Sequence, residues 1–260
     1  MDSVNKTLYI PLYGKALVSR MGLFLEDGKA EEIWAAEGFP LKGKSRSKWL
    51  AYYLGIRGAV FDNWLRRQME LDPDAVIIHP GCGLDSRVLR VGTGERYWYD
   101  VDFPQVIAER RRYYQESDGY RMLAGDIRSN QWLEQIPAGG HAIIVMEGVS
   151  MYLNRQELEG FAANLTAHFE KISLLMDCYT PLAARMSRYK NPVREVGVSE
   201  VYGVEDPKFP ENQGLAFVAE HPMTPQSYIE ELQGLEQKIF RKLYAGDFSK
   251  KLYRLFEYRK

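Results

Sequence analysis

Cysteine is scarce: the 260-residue chain has two, Cys82 and Cys178. Two are too few for a disulfide framework, and no Cys/His cluster has zinc-ligand spacing. Long apolar runs are also missing, since none approaches the roughly 18–20 residues that a bilayer span requires. Nor is there an excess of either charge. The chain has 34 Lys+Arg against 35 Asp+Glu, a formal net charge of −1, which removes the bulk electrostatic case for nucleic acid or an anionic membrane surface. The opening MDSVNKTLYIPLYGKALVSRMG lacks the basic head, apolar core and small-residue cleavage site of a secretory leader. No fixed-period repeat or low-complexity tract is present. The expectation is a cytoplasmic globular protein.

What remains is ordinary in balance, with 45% hydrophobic and 27% charged residues. Aromatic content is high at 13%, with 17 Tyr. That suits an aromatic ligand pocket, a packed core, or the interface of a homo-oligomer.

From residue 75 onward short apolar runs alternate with amphipathic ones. AVIIHPG (75–81), ERYWYDVD (95–102), YRMLAGDI (120–127), HAIIVMEG (141–148) and KISLLMDCY (171–179) read as strands. Helical spacing fills the intervals: Leu84, Val88 and Val91 share a face, Pro104 suits a first helical turn, and Asn154 with Glu157 forms a capping-box pair. Five such alternations predict an α/β fold with a doubly wound, largely parallel sheet. QKIFRKLY (237–244) and KLYRLFEYRK (251–260) read as a C-terminal antiparallel hairpin joined by the turn AGDFSK, bringing the mixed sheet to seven strands. The expected organisation is a helical N-terminal extension (1–74), a cofactor-binding core (75–180), a lid-like insertion (181–224), and a closing helix and hairpin (225–260).

Ligands of open α/β sheets bind at the carboxyl ends of the strands. The first strand runs into Gly81-Cys82-Gly83 and then a helix, a place for backbone to approach a ligand closely. Asp102 ends the second strand, an acid suited to gripping two ribose hydroxyls. Asp126 and Ile127 follow the third strand and offer a carboxylate and an apolar wall to an adenine. Glu147 follows the fourth and suits a cationic ammonium. A dinucleotide would want a third glycine where GCGLDS has Ser86, so the pattern points to a nucleoside cofactor without a diphosphate bridge.

GCGLDSR, YDVDFP, GDI and EGVSMYL, in that order, resemble the motifs of the leucine carboxyl methyltransferase superfamily. IPLYGKALVSR and GIRGAVFD (55–62) are similar to its bacterial, tetracenomycin polyketide O-methyltransferase-like branch. The resemblance covers roughly residues 8–180. It implies a Rossmann-like, S-adenosylmethionine-dependent methyltransferase whose last strand is antiparallel. Carried over by motif, Arg57 binds the methionine carboxylate, Gly81 and Gly83 lie against the cofactor, and Asp102 holds the ribose. Asp126 and Ile127 then take the adenine, Glu147 the methionine end, and Tyr152 orients the acceptor. The implied reaction is O-methylation of a small molecule, with no nucleic-acid or membrane partner and no metal. Two competing readings are a nicotinamide-dependent oxidoreductase, disfavoured by Ser86, and a non-catalytic cofactor-binding relative. His79 and His168 read as packing residues. His221 is the one histidine in the expected lid, and Arg185, Arg188, Lys190 and Arg194 form a basic series there.

Overall fold

A computed structural model describes residues 3–37, 43–187 and 200–260. The N-terminal third is helical, as its patterning predicts: α1 (Ser3–Arg20), α2 (Gly28–Glu37) and the long α3 (Lys48–Leu71). The alternating part follows as β1 (Val76–Pro80), α4 (Arg87–Val91), β2 (Trp98–Asp102), α5 (Pro104–Arg110), β3 (Tyr120–Ala124), β4 (His141–Met146), α6 (Arg155–His168) and β5 (Lys171–Tyr179). Pro104 opens α5, and Asn154 and Glu157 close the expected capping box on α6. Then come α7 (Pro181–Ser187), β6 (Ala216–His221), α8 (Gln226–Glu231), α9 (Gly234–Tyr244), α10 (Asp247–Lys250) and β7 (Tyr253–Arg259).

The seven strands lie in the order β3-β2-β1-β4-β5-β7-β6. All contacts among β1–β5 are parallel, while β7 runs antiparallel between β5 and β6. Strand order reverses between β1 and β4, so a crevice opens beyond their carboxyl ends. Both faces are covered, which is why VII in β1 and AIIVM in β4 are continuous apolar runs rather than alternating. Ile77, Ile143 and Val145 face Phe61, Trp64 and Leu65 of α3. Their neighbours Ile78, Ile144 and Met146 pack with Leu158, Phe161 and Leu165 of α6.

Two expectations for the C-terminal region are corrected. Residues 237–244 are not a strand but the greater part of α9, and the expected turn 245–250 holds α10. The arm that pairs with β7 is β6, which lies inside the expected 181–224 insertion. Part of that insertion is therefore sheet. In 237–244 the apolar residues Ile239, Phe240, Leu243 and Tyr244 recur at helical spacing, and Phe240 anchors them against Tyr52 and Ile56. No described helix is long and apolar enough to cross a membrane.

Candidate active site

The loop after β1 turns sharply at Gly81, whose φ of +67° is unfavourable for a side-chain-bearing residue. A Cβ there would fall 2.2 Å from Cγ2 of Val149, so the β1 loop is in direct contact with the β4 loop. Asp102, at the end of β2, reaches into this turn. Its carboxylate accepts the Gly83 N–H (2.8 Å) and the Phe103 N–H (2.8 Å). Burial pushes its pKa up to about 6 against the lowering effect of those two bonds.

Asp126 and Ile127 lie beyond β3. Ile127 is buried in the α6-side core, whereas Asp126 is part-exposed and paired with Arg128 at 2.5 Å. The structure thus places these two residues at the third strand end, with the carboxylate already engaged by a neighbouring guanidinium.

The methionine-end candidates are drawn together most tightly. Arg57 projects from α3, where it is buried. Its Nε donates to Glu147 (3.1 Å), and its Nη1 donates to Asp177 (3.2 Å) and to the Tyr253 hydroxyl (2.9 Å). Nη2 enters none of these bonds, and it lies 3.3 Å from where a Cβ at Gly148 would stand. Glu147 also faces Lys15 at 3.2 Å and accepts a hydrogen bond from Arg87. Burial works to raise the Glu147 pKa, but Lys15, Arg57 and Arg87 hold it well below the carboxylate range. Asp177 accepts from Tyr253 (2.6 Å) and from the Gly148 N–H (2.7 Å), and burial raises its pKa despite Arg57.

Tyr152 follows in a short 3₁₀ turn (Ser150–Tyr152). Burial raises its phenol pKa, and Tyr179, Arg57 and Asp177 are near enough to act on it electrostatically. Tyr53 and Tyr179 flank the same place, their rings 6.1 and 5.0 Å from that of Tyr253.

A second layer of charge lies beneath. Arg87, fully buried, bonds Asp62 (2.7 Å), Glu147 and the His79 ring (3.0 Å). Asp85 joins Lys15 (2.8 Å), Arg90 (2.7 Å) and Arg87 (3.3 Å). Because Arg87 donates to Nε2 of His79, the imidazole proton belongs on Nδ1, which lies 3.3 Å from Asp100. Burial, reinforced by Arg87, lowers the His79 pKa, so the ring is neutral. His79 is therefore a network member inside β1 as well as a packing residue. His168 bonds the Ile136 carbonyl (2.9 Å) and packs edge-on against Phe169, in keeping with its packing role.

His221 sits on β6, where it bonds Glu257 (2.7 Å), a carboxylate shared with Trp64 (3.2 Å). It does not join the Arg57–Asp177 cluster. Arg185 is on α7, and Arg188, Lys190 and Arg194 lie outside the described residues. Among the described residues, no group of three or more His, Cys, Asp or Glu could hold a metal ion. The sequence reading missed Lys15, Asp62, Asp85, Arg87, Asp177 and Tyr253. Lys15 and Asp177 did carry a signal, a lone charge in each apolar run, IPLYGKAL and LLMDCY.

A family model described as leucine carboxyl methyltransferase matches residues 4–166, more than half of the chain. The chain belongs to the leucine carboxyl methyltransferase family. It is a methyltransferase whose methyl donor is S-adenosylmethionine. Over 243 residues it is 28% identical to the tetracenomycin polyketide synthesis O-methyltransferase TcmP of Streptomyces glaucescens, covering 92% of this chain and 90% of that protein. A Gibberella zeae protein named as an S-adenosyl-L-methionine-dependent methyltransferase, dpfgK, is 29% identical over 181 residues, or 64% of this chain and 60% of its own. Solved structures share the fold of this methyltransferase at low identity. Magnesium protoporphyrin IX methyltransferase from Synechocystis PCC 6803 superposes with a TM-score of 0.54 at 10% identity, over 90% of this chain and 93% of its own. A methyltransferase-like protein from Thermobifida fusca YX gives 0.56 at 14%, over 87% and 92%.

Proposed function

We propose that this methyltransferase transfers the methyl group of S-adenosylmethionine to a carboxylate or hydroxyl oxygen of a small-molecule acceptor, a polyketide-like or related metabolite. The observation that carries the reading is the line of groups along the strand ends. It runs from Asp102 at β2 through the Gly81 turn to Arg57, Glu147 and Tyr152, in the order a nucleoside, a sulfonium and an amino-acid tail would require. Similarity to the tetracenomycin O-methyltransferase supports oxygen as the acceptor atom.

The residues fit such a cofactor. The backbone turn at Gly81, and Gly83 after it, leave no side chain between the β1 loop and a ligand. Asp102 takes the two ribose hydroxyls, exchanging the Gly83 N–H for them, and Asp126 and Ile127 bound the adenine. Arg57 takes the methionine carboxylate with Nη2, the guanidinium nitrogen that Glu147, Asp177 and Tyr253 leave free. Glu147 holds that guanidinium and sets negative charge beside the ammonium. The bound cofactor supplies an activated methyl, so the protein's share is alignment and exclusion of water. A carboxylate acceptor needs no base at neutral pH. Tyr152, kept protonated by burial, donates a hydrogen bond to the carboxylate oxygen that does not attack the methyl group and so orients the one that does.

The deciding experiment incubates the protein with methyl-labelled S-adenosylmethionine and a panel of aromatic carboxylic acids and phenols, reading methyl ester or ether formation. Tight cofactor binding with no transfer to any oxygen acceptor would overturn the proposal. Asp102 adds a pH signature. Its pKa near 6 in the ligand-free protein means that a proton competes with the ribose hydroxyls below that pH. The dissociation constant should therefore rise about tenfold per pH unit below 6 and level off above it. In Asp102→Asn that slope should vanish, as titration calorimetry across pH 4.5–8 would test.

A further inference from the structure

The charge balance of the whole chain conceals a local excess on α9 and α10. Leu235, Ile239 and Leu243 follow one another four residues apart along α9 and are 74%, 40% and 54% exposed. Side chains at i and i+4 lie on one face of a helix, so these form a single apolar ridge, and Phe248 of the α10 that follows is also 57% exposed. Phe240, about a quarter-turn away, is the residue of α9 that is buried, seated against Tyr52, Ile56 and Ile229. The ridge is thus the face left over after α9 has docked on the body.

Cations border it. Lys238 and Lys242 form the adjacent row on one flank, with Arg241 beyond them, and Lys250 and Lys251 stand beside Phe248. All five are exposed, and among the described residues none of them enters an ion pair. Against them the segment 234–251 sets Glu236, engaged by Lys48, and Asp247.

We propose that the α9–α10 ridge is a docking surface for an anionic phospholipid bilayer. An amphipathic helix with large apolar side chains on one face and lysines along its border lies in a membrane interface, the apolar row among the acyl chains and the ammonium groups at the phosphates. A second copy of this chain fits poorly, because a two-fold contact through the ridge would set the basic borders against one another. An acidic protein would satisfy the lysines, but a projecting ridge offers no pocket for a partner's anchor side chain, whereas a bilayer deforms around it. At its far end α9 carries Tyr244, whose ring packs 5.7 Å from Tyr53 in the aromatic group beside Arg57. A bound membrane would therefore lie across α9 from the tyrosine cluster. The inference does not depend on which oxygen accepts the methyl group.

The test is co-sedimentation of the full chain with vesicles of phosphatidylcholine alone and with about one-third phosphatidylglycerol, at low and high salt. The expected result is binding to the anionic vesicles that weakens with salt, and at least about tenfold weaker partitioning for Leu243→Ser/Phe248→Ser and for Lys238→Gln/Lys242→Gln. All four positions are exposed, so the thermal midpoint and S-adenosylmethionine affinity should match wild type in both variants. Failure to bind anionic vesicles, or binding that both double variants retain, would overturn the proposal. So would a concentration-dependent dimer that Leu243→Ser/Phe248→Ser abolishes. Retention on immobilised polyglutamate without vesicle binding would reassign the face to an acidic protein.

Discussion

Arg87→Met should destabilise the protein by about 3–5 kcal/mol, the usual cost of removing one partner from a buried ion network. Methionine fills much of the same volume, so the loss reports charge rather than packing. Arg87 is fully buried and bonds Asp62, Glu147 and His79 while lying 3.3 Å from Asp85. Without it, Lys15, Arg57 and Arg90 remain to balance Asp27, Asp62, Asp85 and Glu147. Urea unfolding at neutral pH would measure the loss as a lower midpoint at unchanged slope. The pH dependence supplies a second check. Removing a cation raises the folded-state pKa of the carboxylates around it, so the variant binds more protons when folded than wild type does. Its deficit should therefore shrink as pH falls from 7 toward 5, because stability shifts toward the state that takes up protons. A deficit below about 1 kcal/mol, or one that grows on acidification, would mean that the network is solvated rather than buried.

Gly81→Ala has the next largest expected effect, a loss of about 2–4 kcal/mol. Two terms combine. The left-handed backbone at φ +67° is unfavourable for alanine, and its methyl would enter Val149 at 2.2 Å. Val149 is branched at Cβ and stiff, so it cannot simply rotate away. The collision should push the β4 loop outward, carrying Tyr152 with it, and cofactor affinity should fall together with stability. Val149→Ala in the Gly81→Ala background should recover the steric part but not the conformational part. Thermal unfolding and calorimetric titration of the two single variants and the double variant would separate these terms. Additivity of the two substitutions would show that the loops do not touch.

The sheet was largely legible in the sequence because its strands are buried on both faces. Runs such as AVII, AIIV and SLLM admit few other readings once flanked by glycine or a capping residue. The errors fall where burial is partial. β6, an edge strand whose residues alternate between exposed and half-buried, carries little apolar signal in AFVAEH and so reads as insertion. In the segment 237–244 only Phe240 of the apolar residues is buried, which leaves a pattern that a short strand imitates. Within the site, residues tied to strand ends could be placed by position alone. Asp177 and Tyr253 could not, since their meeting depends on β7 entering antiparallel beside β5, a pairing between residues 76 apart in the chain. Lys15 and Arg87 belong to helices whose approach is set by packing, so the lone charge of IPLYGKAL marks Lys15 for burial without naming its partners, and Arg87 has no such mark.

The placement of β7 has a bearing on how the molecule is made. Synthesis delivers β1 to β5 in sequence, and each can join the growing sheet as it emerges. β6 cannot, because its neighbour in the finished sheet is β7, which is translated later. Until then β6 has no ladder to join, the carboxylate of Asp177 waits for the phenol of Tyr253, and Glu257 is not yet there to receive His221 and Trp64. The Arg57–Asp177–Tyr253 cluster and the far edge of the sheet thus mature in one late step. A chain that stalls or is clipped before residue 253 would hold most of its core but neither of these, an intermediate with an open strand edge on β5.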